Sequence, residues 1–389
     1  MSKKRIGIAV MALGMFLWAA AAYASPEAPR LLSPPMALPV PSGFLKVLLL
    51  LTFFVHLVLV NVLLGSVILS VIDRRASASD RKGGVAFMPK VLALAVNFGV
   101  APFLFLQVLY GHFLYPSIVL MAVWWMFVAL FAMLAYYGLY VSDGAVRPAR
   151  RTPILFLSAL LLLMTAFLLS NALMLRPDFW FRWFSEPHGH LLNTSDPTLF
   201  PRYLHILLAS LAVGGLTMAW RVRWIKRDPE VDREEAERRL RRGLDWFFYV
   251  SLAQVPVGLL FLFTLPPDVR GLFLGGDALS TAALILAVSG LCIALILVRQ
   301  GGLKLASTAA LGVILVMVCV RGMVRDAMLQ PYSGAASPAP TALAMPHGQT
   351  AALSLFLVAT VLVVAVLVWL GRVLFHALNR SESSEIREG

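Results

Sequence analysis

The chain has 389 residues, of which 60% are hydrophobic and only 14% charged, with a mean hydropathy of +0.82. That balance excludes an ordinary soluble enzyme and leaves a polytopic membrane protein. The formal net charge of +13 is a separate matter, answered by where the basic residues fall.

The first element is a secretory signal. Lys3-Lys4-Arg5, the apolar run from Ile6 to Ala22, and Ala22-Tyr23-Ala24 before Ser25-Pro26 supply a basic start, a hydrophobic core and a small-x-small cleavage site. Cleavage is expected after Ala24, which makes residues 1–24 a signal peptide and residues 25–389 a single membrane domain. An uncleaved anchor is the alternative, because the apolar run is borderline for spanning.

About 20 apolar residues cross a bilayer, and on that rule nine further spans follow. They cover 47–72, 91–109, 117–142, 153–175, 203–220, 246–266, 278–298, 305–324 and 350–373. The expected fold is all-α, a polytopic membrane helix bundle. Val91 to Ser142 holds no Asp, Glu, Lys or Arg but is too long for one helix, and Tyr110-Gly-His-Phe-Leu-Tyr-Pro116 reads as the turn between two.

Nine spans place the ends on opposite sides, and Lys and Arg decide which. With the mature N-terminus outside, the cytoplasmic segments hold Arg74, Arg75, Arg81, Lys82 and Lys90, then Arg147, Arg150 and Arg151, then the arginine-rich loop from Arg221 to Arg242, then Arg299 and Lys304. The outer segments are poorer in basic residues, in agreement with the signal peptide. The positive excess is therefore topogenic, and no nucleic-acid partner is expected. The loop from Arg221 to Asp245 mixes both signs, the pattern of a solvated helix with i,i+4 pairs. No repeat of period 20–50 residues is visible; Pro102 and Pro256 fall inside spans, without matching halves.

Cys292 and Cys319 lie within spans and outside any Cys-x-x-Cys-His string, so no covalent haem attachment and no zinc or iron–sulfur ligand set is expected. The seven histidines say more. His112, His188, His190 and His347 read as solvated outer-side residues and His376 as cytoplasmic. His56, deep in the first span, and His205, near the outer edge of the fifth, sit where an ionisable ring needs a reason. Each is either a ligand or a core histidine hydrogen-bonded to a neighbour such as Asn61 or to a backbone carbonyl.

Four segments fall in an order that resembles subunit I of cytochrome bd quinol oxidases. Arg202-Tyr-Leu-His205-Ile206 followed by Gly214-Gly215 is similar to that family's haem-ligating helix. His56 followed by Leu63-Leu-Gly65 looks like its first helix. Val96-Asn-Phe-Gly-Val-Ala101 with Gln107 resembles its second, and Arg325-Asp-Ala-Met-Leu-Gln-Pro-Tyr332 is similar to its acidic-x-Gly-Arg-Gln-Pro-Trp signature. The resemblance covers most of the mature chain through order and topology, its single motifs being short. It implies b haems, two or more, with His56 and His205 as axial ligands and Asp326 in the place of a ligating glutamate. Haem d is left without support. Arg202, Arg321 and Arg325 would pair with haem propionates, their alternative being ordinary interfacial arginines.

Departures from that family shape the expected function. The long outer quinol loop is reduced to Asp268–Asp277 and its flanks, the third span lacks the paired glutamates that would lead protons inward, and Phe273 to Val298 contains no methionine. Oxygen reduction needs protons at a buried site, whereas transfer between haems does not. The expectation is a haem b subunit of a respiratory complex in a bacterial cytoplasmic membrane, an oxidoreductase component moving electrons between quinone and an outer partner. That partner would be a second membrane subunit or a periplasmic multihaem cytochrome. The alternatives are a quinol oxidase of reduced design and a haem-free transporter or structural subunit.

Overall fold

The structure, a computed structural model, describes residues 38, 40–72, 86–144, 148–225 and 233–333, together with scattered positions between 354 and 372. The signal segment 1–24, His347, His376 and most of the span at 350–373 lie outside the described residues. Among these residues every regular element is helical, and eight helices are long and apolar enough to cross a membrane.

In chain order they are α1 (Ser42–Ile72), α2 (Met88–Leu120), α3 (Ala122–Gly144), α4 (Pro148–Ser170), α5 (Leu199–Ile225), α6 (Arg233–Thr264), α7 (Ala278–Arg299) and α8 (Leu303–Ser333). In hydrocarbon every backbone N–H and C=O must find its partner within the chain, which leaves the helix as the only single-segment solution. Side chains such as Met126, Tyr137 and Ile285 stay exposed, as befits a surface facing lipid. Met36–Ser42 and Pro338–Gly389 form a second compact unit, of which the scattered described positions from Ser354 to Arg372 are helical.

Packing runs in pairs: α3 along α4, α5 along α6, α7 along α8. Lipid gives no hydrophobic drive for one apolar helix to meet another, so close approach depends on small residues. A Cβ at Gly215 of α5 would come within 2.6 Å of the Gly243 carbonyl oxygen of α6. At the α1–α5 contact the approach is closer, since a Cβ at Gly65 would stand 1.9 Å from the Ser210 carbonyl oxygen and 2.9 Å from the Gly214 Cα.

Two boundaries differ from the sequence reading. The expected turn at Tyr110–Pro116 is instead a kink inside α2, with Tyr110 at φ −132°, ψ 25° and the helix continuing to Leu120. A proline removes only its own backbone donor, and buried Phe113, Leu114 and Ser117 keep the last turns packed. The reversal comes at Met121, whose N–H bonds to the carbonyls of Ser117 and Val119. The segment between α4 and α5 braces it: Leu191 N–H reaches the Leu120 carbonyl at 3.1 Å and Val123 N–H the Gly189 carbonyl at 3.0 Å. That segment holds two 3-10 turns, Leu173–Leu175 and Pro177–Phe184, packed with Trp124, Trp125, Trp180 and Trp183.

The second difference is at α6. The solvated helix expected before the sixth span is continuous with it, opening on Glu234–Arg238 and Glu235–Arg239 pairs at 2.5 and 2.9 Å. Between α6 and α7 the chain makes a short turn, Pro267–Gly271, and a π turn, Leu272–Gly276, in which Gly275 takes φ +111°. Asp277 then caps α7 by accepting the Ser280 N–H at 2.8 Å, and bonds from Ser280 hold its carboxyl below the usual carboxylate range.

Candidate functional site

His56 stands on α1 with the Nδ1–Cε1 edge of its ring turned to α2. Nδ1 lies 2.8 Å from the Ala95 carbonyl oxygen, and a Cβ built on Gly99 would stand 2.9 Å from both Nδ1 and Cε1. A carbonyl can only accept, so Nδ1 donates and the lone pair of the neutral ring is on Nε2. Of the two partners open to a core histidine, the carbonyl is the one used. Asn61 is turned away, its Oδ1 accepting from the buried Ser210 hydroxyl at 2.8 Å. A ring tied at one nitrogen with the other free is also the posture of a metal-ligating imidazole.

His205 repeats the arrangement on α5. The same edge faces α6, where a Cβ at Gly258 would lie 3.4 Å from Cε1 and 3.6 Å from Nδ1. The Gln254 amide, one turn before that glycine, donates to the His205 backbone carbonyl at 3.1 Å. The ring differs from His56 in one respect: its Nδ1 is buried with no hydrogen-bond partner.

Asp326 is drawn into a cluster with the start of α1 and the kink of α2. One carboxylate oxygen accepts from Lys46 Nζ at 2.7 Å, and the other accepts from the Tyr110 hydroxyl. The Arg325 guanidinium lies 4.4 Å over the Tyr110 ring, with Nε 3.6 Å from Asp326. The kink of α2 is centred on the residue that supplies this phenol. Lys46 and Tyr110 were not singled out in the sequence; Lys46 is 280 residues from its partner, and Tyr110 was read as part of a turn.

Arg202 and Arg321 complete a cationic band. Arg202 donates to the Ser170 carbonyl at 2.8 Å and to Thr198 Oγ1 at 3.3 Å, and lies 3.6 Å from buried Asp196. Arg321 sits 5.4 Å over the Phe53 ring, which in turn is 6.2 Å from His56. Among the described residues it has no carboxylate at ion-pair distance, and it feels the charges of both Arg202 and Arg325. Among the described residues the four cations of the band, Lys46, Arg202, Arg321 and Arg325, meet two carboxylates, Asp196 and Asp326, a surplus of two positive charges.

Of the other described histidines, His112 packs 4.2 Å from the Phe113 ring, and His188 and His190 stack on each other with centroids 5.6 Å apart. No known family profile matches the chain, and no curated protein matches it significantly in sequence.

Among the described residues no three His, Cys, Asp or Glu side chains converge to hold a metal ion. A macrocycle that brings its own four nitrogens asks for less: an axial imidazole with its second nitrogen held, and cations for its carboxylates. The tied Nδ1 and free Nε2 of His56 and the cationic surplus beside Phe53 fit those requirements, whereas His205 offers an imidazole with neither ring nitrogen held by a described residue. Asp326 fits less well as an axial group, because each of its oxygens is already engaged.

Proposed function

We propose that this protein is a haem b-carrying subunit of a respiratory complex in a bacterial cytoplasmic membrane, passing electrons between quinone and a partner on the outer face. The observation that carries the reading is His56, an imidazole at membrane depth whose Nδ1 is fixed on the Ala95 carbonyl and whose Nε2 has no protein partner among the described residues. His205 offers a second imidazole of the same orientation. Its buried Nδ1 lacks a bond, which costs about 1–3 kcal/mol.

Bound haem would supply one-electron redox chemistry, and the chain's own residues would set its terms. Arg321, aided by Arg202 and Arg325, would neutralise propionates and favour the added negative charge of reduction. Lys46, Tyr110 and Asp326 would hold the outer ends of α1, α2 and α8 around that band. The apolar wall of Phe53 and neighbouring spans would keep water away and make each of these charges count for more. A second membrane subunit or a periplasmic cytochrome would receive or deliver the electrons.

The test is a dithionite-reduced minus oxidised spectrum of the purified protein with pyridine haemochrome quantification, repeated on His56→Ala and His205→Ala. Two b-type components, one lost in each variant, are expected. Absence of haem from protein made in haem-replete cells would overturn the reading in favour of a haem-free transporter or structural subunit. Cyanide-sensitive oxygen uptake with quinol would replace it with a quinol oxidase.

A further inference from the structure

The surroundings of His56 and His205 match beyond the two rings. His56-Leu-Val-Leu-Val-Asn61-Val-Leu-Leu-Gly65 and His205-Ile-Leu-Leu-Ala-Ser210-Leu-Ala-Val-Gly214 share the spacing His-x4-(Asn/Ser)-x3-Gly. The structure brings the matching positions together. Asn61 is hydrogen-bonded to Ser210, and Gly65 lies against Gly214, each within 3 Å of where the other's Cβ would be. Contacts that advance by four residues on both helices mean that α1 and α5 run parallel through this crossing.

Each histidine also has a glycine of the next helix at the Nδ1–Cε1 edge of its ring, Gly99 of α2 at His56 and Gly258 of α6 at His205. The residue four before each glycine bonds differently: the Ala95 carbonyl accepts from the His56 ring, whereas the Gln254 side chain donates to the His205 backbone. Helix pairs α3–α4 and α7–α8 follow in the same order. Few of the paired positions carry identical residues, set as they are in strings of Leu, Val and Ala.

Resting on the haem reading above, we propose that the chain carries two sites for an imidazole-ligated planar macrocycle at matching positions of α1 and α5, and that Asn61 and Ser210 are the positioning pair that fixes one site relative to the other. Each histidine precedes its junction residue by five positions, about 7.5 Å along the helix and about 140° around it. On parallel helices that offset sets the two rings at one height on opposite flanks of the α1–α5 pair. The buried Asn61–Ser210 bond lies between them, and the contact of Gly65 with Gly214 leaves the two backbones no room to slide.

The experiment is a mutant cycle on the full chain: Asn61→Ala, Ser210→Ala, the double alanine variant, and the exchange Asn61→Ser with Ser210→Asn. Melting temperature and the reduced minus oxidised spectrum are both read. Each alanine variant is expected to lower the melting temperature and to shift both histidine-dependent bands. The double variant should add little to either single one, and the exchange should restore both readouts, because a symmetric junction can be crossed from either side. Additive losses, an exchange that fails to rescue, or a shift confined to the band that His56→Ala removes would each overturn the proposal. Wild-type protein without haem would sink the ligand class, whereas the thermal cycle would still decide the junction.

Discussion

Gly99 lies directly against the imidazole of His56, so that a methyl group there would stand 2.9 Å from two ring atoms. The corresponding distance from Gly258 to His205 is 3.4 Å. The first is a separation that real Cβ atoms do not show, and the second a tolerable contact. Gly99→Ala is therefore expected to displace the His56 ring from the Ala95 carbonyl and to remove or shift the component lost in His56→Ala. Gly258→Ala is expected to perturb its own component less. Optical spectra of the two variants side by side check the order.

Gly65→Ala would place a carbon 1.9 Å from the Ser210 carbonyl oxygen, with backbone on both sides of the clash. Neither helix can yield locally, so the cost should exceed the roughly 1–3 kcal/mol usual for overpacking. Loss of the monodisperse, folded protein on size-exclusion chromatography is expected, whereas Gly43→Ala, with nothing within 4 Å, should purify as the parent does.

Arg321→Gln leaves a shorter polar side chain and removes a charge that no carboxylate pairs among the described residues. The midpoint potential of the His56-dependent component should fall by tens of millivolts, the worth of one unit charge roughly 10 Å away at an effective dielectric constant of about 20. A redox titration of that band measures it, and an unchanged potential would remove Arg321 from the site.

Asp326→Asn separates a helix tie from a metal ligand. The Lys46–Asp326 pair is more than a third exposed, so its loss should lower stability by no more than about 1 kcal/mol. Both spectral components should survive. Disappearance of one of them would instead make Asp326 a ligand, with Lys46 and Tyr110 released on binding.

Much of the fold is legible in the sequence because a bilayer sets the length and polarity of whatever crosses it. Eight of the nine expected spans correspond to the eight long helices of the described residues. His56 stands out for a related reason, an ionisable ring inside a long apolar helix. The residues that shape its surroundings do not stand out. Gly99 and Gly258 are two glycines among 27, and their importance appears only when a neighbouring helix brings a ring to them. Tyr110 and Pro116 carry the local marks of a turn, yet buried neighbours keep that stretch helical, an outcome decided by packing. Lys46 and Asp326 come from opposite ends of the bundle's sequence, a pairing that local pattern cannot reveal.

The equal offset of the two histidines from the Asn61–Ser210 crossing has an energetic corollary. Carrying one elementary charge all the way across a membrane involves about 2.3 kcal/mol for each 100 mV of potential. A step between two centres at the same height crosses almost none of that field. Charge exchanged between these flanks would move sideways in the plane of the bilayer, at a rate indifferent to how strongly the membrane is energised.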